Sequence, residues 1–374
     1  MDVNRIDLKT RRLVSLDAFR GITIAGMILV NNPGDWKYVY SPLRHAPWHG
    51  WTATDLVFPF FLFIVGVSLS FSLAKRREQV VSQGEMYAKI LKRSFIIFTL
   101  GIILHLIPRF DLATLRIPGV LQRIALCYLF SSLLFLNVGK MGRALWAFIL
   151  VIGYWLLMKL VPVPGYGPGV LDYQGNLCAY IDSQLLSGHL YKPGFDPEGI
   201  LSTLPATATT LLGTLTGDWL RSSLTGIKKM IGLYGAGLIL IVVGLFLHPF
   251  FPINKQLWTS TYVLFTAGAG LILFGICYSF LEVGGWKKWA SPFLVFGTNA
   301  IFVYAGSSLM AKLIPMIKIT VDSRLMSLKE YIYTRLLVPW AGQLNGSLIY
   351  PICLILLWLG IMIPLYKKNI YIKI

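Results

Sequence analysis

Six ionisable side chains lie within or at the mouths of long apolar stretches of this sequence. They are Asp17 and Arg20 in LDAFRG, Asp55 in TATDLVFPFF, Arg123 in PGVLQRIALCY, and His105 and His248 near the ends of two further stretches. A charge in hydrocarbon costs roughly 2.5–3.5 kcal/mol or more, so each needs a partner or a use. Asp17 and Arg20 are three residues apart on one helix face and can pair there, as an interfacial anchor or as a holder of a polar ligand. Asp55 has no partner close in sequence and needs a cation or an imidazole from another element. Arg123 cannot shed its charge and requires an acceptor or an anionic ligand.

All five histidines (His45, His49, His105, His189 and His248) map to one half of the molecule, most densely in SPLRHAPWHGWTATD. His45 and His49 have the spacing of helical metal ligands, but Pro47 and Gly50 oppose a helix and no glutamate follows His45 as in a zincin, so no metal is expected. His45 instead suits acid–base work, with Asp55 ten residues on to orient it. Trp48 and Trp51 fit an interfacial aromatic belt and also a stacking platform for sugar rings. Asp172, Asn176, Asp182, Asp196 and Glu198 in a later loop would suit hydroxyls and an amine. Cys127, Cys277 and Cys353 fall inside apolar stretches and Cys178 alone in an outer loop, so no disulfide is expected there.

The elements that position these residues must live in a membrane. Of 374 residues, 56% are hydrophobic and 13% charged, and the mean hydropathy is +0.67. Soluble domains carry about 25% charged residues, so soluble, disordered, coiled-coil and disulfide-scaffold classes are excluded. Ten stretches can cross a bilayer core of about 20 residues: about 16–33, 52–74, 88–108, 118–137, 143–162, 200–220, 229–248, 258–281, 290–312 and 346–366. The first is read as a span and not as a removed signal peptide. The stretch 324–341 carries charges at short spacing and reads as an amphipathic segment on the membrane face.

The fold class is therefore all-α, a polytopic helix bundle forming a single domain over 1–374, with outer loops at about 33–51, 163–199 and 313–345. The Gly- and Pro-rich loop at 163–199 predicts an ordered lid. No internal repeat of the inverted-transporter kind is visible. About 20 lysines and arginines fall on one set of loops and termini and about 11 on the other, with Arg20, Arg123 and Lys159 within spans. This bias places both termini in the cytoplasm. It also accounts for most of the net charge of +18, so nucleic acid is not expected as a partner. A basic inner face would attract anionic lipid or an anionic cofactor.

Several segments resemble the heparan-α-glucosaminide N-acetyltransferase family and its NagX-type bacterial homologues. They are LVSLDAFRGITIAGMILVNN, HAPWHGWTATDLVFPFFLFIVGVSLS, RIPGVLQRIALCY, GYGPGVLDYQGNLCAYID, HLYKPGFDPEGILSTLPA and FGTNAIFVYAG, in that order along nearly the whole chain. The large luminal N-terminal domain of the animal enzymes has no counterpart among them. The resemblance implies a transmembrane acyltransferase passing acetyl from cytoplasmic acetyl-CoA to the amine of a glucosamine-type sugar outside.

It further implies His45 as the active histidine, with Asn31 (or Asn32, given a longer loop here) as its companion and Asp55 as its orienter. Trp48, Arg123, Glu198 and Asn299 are expected at the acceptor, with Asn31 or Arg123 stabilising the oxyanion. Asp17, Arg20, Lys92 and Arg93 are expected at the coenzyme. A homodimer in a bacterial inner membrane is the corresponding expectation. The rival reading is an inner-membrane transporter for N-acetylglucosamine or a related amino sugar, which would need a pathway but no base.

Overall fold

The computed structural model describes residues 13–372; Arg5, Lys9, Arg11, Arg12 and Lys373, counted above on the basic face, lie outside the described residues. The ten apolar stretches form α1 (Val14–Asn31), α2 (Ala53–Glu78), α3 (Gln83–Leu106), α4 (Val120–Asn137), α5 (Lys140–Leu160), α7 (Thr203–Arg221), α8 (Gly226–Phe246), α9 (Ser260–Tyr278), the pair α10 (Ser291–Thr298) and α11 (Ala300–Leu313), and α13 (Val338–Lys367). The short α6 (Leu177–Leu185) lies in the expected lid. The protein is a mostly helical, polytopic membrane bundle. Among the described residues seven helices are long and apolar enough to cross a membrane, eight when the bent pair α10–α11 counts as one. The remaining long helices, α3 and α7, are more polar: α3 opens with Lys89, Lys92 and Arg93, and α7 is rich in threonine.

Small residues let the central helices touch backbone to backbone, as membrane helices require when lipid gives no hydrophobic drive for association. A Cβ on Gly66 would lie 1.9 Å from the Thr210 carbonyl oxygen, and one on Gly213 would lie 2.1 Å from that of Phe63. These two glycines therefore lock α2 against α7. Gly21 and Gly297 do the same for α1 and α10. At the periphery, α5 and α8 bury only 28% and 22% of their apolar windows and present the rest outward.

Three segments differ from the sequence reading. The stretch expected as one span at 290–312 is bent by 74° between α10 and α11 at Asn299, whose backbone leaves the helical region (φ −130, ψ 41) and whose side chain bonds the C-terminal segment. Its Nδ2 donates to the Ile370 carbonyl at 3.1 Å and its Oδ1 accepts from Ile372 N at 2.7 Å. The stretch 324–341, read from the sequence as one amphipathic segment, is built from several elements. It begins as β2 (Arg324–Ser327), paired antiparallel with β1 (Lys318–Val321), and continues through α12 (Leu328–Tyr331) into the start of α13. Alternating Ile319, Val321, Leu325 and charged neighbours give a two-residue period there, and Asp322 and Ser323 take the positive φ of a tight hairpin turn. Finally, α13 begins before residue 346 but breaks at Gly342 (φ +76), so the turn preceding the break belongs with the loop structure.

Candidate active site

His45 is placed by a loop with little freedom. After α1, Gly34 N donates to the Ser347 carbonyl (3.0 Å) and Asp35 N to Ser347 Oγ (3.0 Å). Arg44 Nε reaches back to the Val39 carbonyl (2.8 Å), and the Thr52 hydroxyl donates to the Arg44 carbonyl (2.6 Å). Thr52 and Asp55 form the capping box of α2, so the helix start and the histidine share one carboxylate. Asp55 Oδ2 accepts from Ala46 N (3.0 Å) and Thr52 N (3.1 Å), leaving Oδ1 for His45 Nδ1 at 2.6 Å. The expectation that Asp55 lacks a local partner is thereby corrected: its own helix cap supplies one. The expected imidazole is also present, and a cation joins it, Lys255 Nζ at 3.3 Å.

A carboxylate at 2.6 Å fixes the tautomer. An acceptor facing an acceptor at that distance would repel, so Nδ1 carries the proton and Nε2 is the basic nitrogen. The His45 side chain is 37% exposed and forms part of the wall of a cavity of about 150 Å³, with Asn31, Thr54, Glu198, Lys255 and Tyr304 among its neighbours. A second recess of about 210 Å³ shares Met27, Asn31 and Tyr304 with it and adds Ser307, Ser308 and Lys312. Asn31 faces both. Asn32 is buried, with Nδ2 bonded to the Ile28 carbonyl (2.9 Å), and it lines the second recess but not the histidine cavity.

At the opposite end of α1 and α2 lies a cavity of about 610 Å³, lined by Arg20, Arg76, Lys89, Lys92, Arg93, Tyr128 and the break at Gly297–Ile301. Arg20 pairs with Asp17 (2.8 Å) and also donates to the Gly297 carbonyl and to Ser68 Oγ. Arg93 lies over the Tyr128 ring at 4.9 Å, and its buried Nε has no hydrogen-bond partner among the described residues. The first turn of α11 opens at the same place, so its unpaired N–H groups add to a site suited to anions. No residue lines both this cavity and the two at the histidine end. On α1 one turn separates Arg20 from Ile24, and on α11 one turn separates Ile301 from Tyr304, a step of about 5.4 Å.

Other expected residues are elsewhere. Arg123 is 1% exposed and lies away from the histidine cavity: its Nη2 donates to the Gly199 carbonyl and to Ser202, and its guanidinium rests on Trp258 at 5.1 Å. It braces the segment that carries Glu198 and does not line the site. Asn299, expected at the acceptor, faces the basic cavity instead. Trp48 is packed under the lid, donating to the Leu171 carbonyl (2.9 Å) and contacting Tyr173 and Phe195, so its ring is occupied by protein. Glu198 does reach the site, held by Arg116, which also grips Asp196 with two bonds of 2.7 and 2.8 Å. His105, His189 and His248 bond to backbone groups, and His49 meets Asn254. Burial lowers the His49 pKa and raises that of Asp182, on α6 within the lid, to about 6.

The residue missed by sequence reasoning is Lys255, one basic residue among many in the outer loops. Nothing in INKQLW marks it. Its position depends on Gly50 N bonding the Ile253 carbonyl (2.7 Å), which joins two loops about 200 residues apart.

Fold and site define a polytopic helical membrane protein with an oriented histidine at one end of the bundle and an anion-suited cavity at the other. The family model described as heparan-alpha-glucosaminide N-acetyltransferase, catalytic, matches residues 12–244, and the chain belongs to that family. It is 31% identical over 428 aligned residues to the human heparan-alpha-glucosaminide N-acetyltransferase, covering 99% of this chain and 61% of that protein. The mouse protein of the same name is 31% identical over 421 residues, covering 97% and 60%. The chain thus spans about three fifths of the length of the curated relatives it matches.

Proposed function

We propose that the protein is a transmembrane acyltransferase that moves an acetyl group from acetyl-CoA to the amine of a glucosamine-type sugar. The observation that carries this reading is the His45–Asp55 pair, with Nδ1 committed to the carboxylate at 2.6 Å and the ring at the wall of a cavity shared with Asn31 and Glu198. An amino sugar arrives as an ammonium ion, and Glu198 offers it a counter-charge. The ammonium first releases one proton to water, which frees its lone pair; His45 Nε2 then takes the second proton, which the amine loses on attack, while Asp55 holds the ring in the productive tautomer. Asn31 supplies a donor to the transferred carbonyl oxygen, where one such donor is worth roughly 2.7–4 kcal/mol.

Bound acetyl-CoA would supply the activated thioester. The basic cavity fits its phosphates: Arg20, Lys92 and Arg93 would hold them, with the orphaned Nε of Arg93 and the first turn of α11 as further donors. The lysine–arginine bias of the loops supports ten spans, cytoplasmic termini and a cytoplasmic position for this end. In this reading the protein works as a homodimer in a bacterial inner membrane. The one-turn partition between the cavities must open to pass the acyl arm.

The experiment is transfer of radiolabel from acetyl-CoA to glucosamine or its oligomers by purified protein. Labelled N-acetyl product, lost on His45→Ala with donor binding retained, is the expected result. Absence of product with every amine, together with amino-sugar uptake in proteoliposomes, would establish the transporter reading instead.

A further inference from the structure

Lys255 lies in the loop between α8 and α9, outside the segments with recognisable motifs, yet the structure holds it firmly. Asn254 Nδ2 meets His49, Asn254 Oδ1 accepts from Leu257 N (2.9 Å), and Asn254 N donates to Thr259 Oγ1 (3.0 Å). Three residues after Lys255, Trp258 is 1% exposed with φ +51, a conformation that a bulky residue adopts only when its surroundings impose it. The loop is therefore built around a fixed geometry, and that geometry puts the Lys255 ammonium 3.0 Å from His45 Nδ1 and 3.3 Å from Asp55 Oδ1.

The proton count of this cluster is informative. Nδ1 gives its proton to Asp55 and cannot also accept one from Lys255, so the short Lys255–His45 distance is a contact and not a hydrogen bond. An ammonium has three N–H donors and no acceptor. Among the described residues its one true acceptor is Asp55 Oδ1, which leaves two donors uncommitted. Lys255 lines the histidine cavity with 18% of its side chain exposed. Burial pushes its pKa down, and the carboxylates of Asp55 and Glu198 push back. Arg123, the cation expected to meet the reacting carbonyl, is turned away into the core. Among the described residues, Glu198 with Arg116 behind it, Tyr262 on α9 and Tyr304 on α11 are further ionisable groups near this cluster.

We infer that Lys255 is a further catalytic residue, whose ammonium donates to the acyl carbonyl oxygen as negative charge develops there during transfer. The inference rests on the acyl-transfer reading above. In the step, the amine lone pair forms a bond to the acyl carbon and the carbonyl pair moves onto oxygen, opposite Lys255. His45 Nε2 receives the amine proton. The pair then returns, the carbon–sulfur bond breaks, and the departing thiolate takes the proton from His45. Asp55 keeps its charge throughout and holds Lys255 in place between turnovers.

The test compares wild type with Lys255→Met and Lys255→Gln in transfer and in binding of two inert donor analogues, a ketone and a thioether of coenzyme A. For Lys255→Met, kcat should fall about 10²–10³-fold with both KM values within about threefold. The Gln variant, which keeps one neutral donor, should be intermediate. The ketone analogue should bind Lys255→Met at least tenfold more weakly than wild type, and the thioether, lacking the carbonyl, equally well. A purely structural lysine would weaken both analogues alike, and unchanged kcat in either variant would overturn the assignment; should the Met variant not fold, the Gln variant alone decides. Failure of wild type to bind either analogue would instead bring down the acyl-transfer reading itself.

Discussion

The two ends of the bundle solve opposite electrostatic problems. At the histidine end a small cavity of about 150 Å³ is surrounded by charges in contact with one another: Asp55 with His45 and Lys255, Glu198 with Arg116. At the other end a cavity of about 610 Å³ is lined by five cationic side chains, two of them paired with carboxylates, Arg20 with Asp17 and Lys89 with Glu85. Paired charges in a confined space hold fixed positions, as bond-making requires. Surplus cations around a roomy space attract an anion from a distance and tolerate its motion. On the proposed acyl-transfer reading, chemistry and capture would be separated along α1 and α2, and residues at the two ends should fail in different ways.

The largest effect is expected at His45. Replacement by Ala should cost about 10⁴-fold in kcat, at the upper end for a general base, while an equilibrium binding assay finds donor affinity unchanged. Equal loss of both would abolish the distinction between the ends.

Next comes a buried acid within the lid, on α6. Asp182 holds its proton more tightly in the folded protein, with a pKa of about 6 against an ordinary 3.8. Its contribution to stability is thus present at low pH and lost as pH rises through about 6. Asp182→Asn should stabilise the protein above pH 6 by up to about 3 kcal/mol, read as a higher Tm, with the gain vanishing below about pH 4. A gain independent of pH would refute the cause given.

At the basic end the paired change Lys92→Ala, Arg93→Ala should raise the donor Kd about tenfold, or about 1.4 kcal/mol, with kcat nearly constant. Added salt should shrink the difference. A fall in kcat without a change in Kd would mean that the basic end takes part in chemistry.

The smallest effect is reserved for Trp48→Phe. It deletes the hydrogen bond to the Leu171 carbonyl, worth about 1 kcal/mol of stability, and should leave the acceptor KM within twofold. A tenfold rise would restore the sugar-stacking role that its packing against Tyr173 and Phe195 argues against.

Much of the architecture was legible because the membrane signal is local. Each apolar run from α1 to α13 announces itself over about twenty residues, and the pairing of Asp17 with Arg20 follows from helical spacing alone. The His45–Asp55 pair was legible for a related reason: a turn and a helix start are all that separate them. Other features, besides Lys255, escaped. At the bend, the Asn299 side chain bonds Ile370 and Ile372, some seventy residues away. Trp48 looked available for stacking until α6 and its flanking loop covered it. Arg123 reads as a ligand-binding charge in an apolar run, yet its partners Gly199 and Ser202 come from another element.

The amino-acid sequence by itself determined a helical membrane protein, its family and an imidazole oriented by a carboxylate, because hydropathy, helical period and motif act over short stretches of chain. Tertiary structure alone decided which cations meet that imidazole and which are turned into the core. Along the chain Arg123 stands out inside an apolar run, and Lys255 is one cation among many in the outer loops. Their roles separate only when distant loops are fixed against each other, since a charge acts over a few ångströms of space and not along sequence.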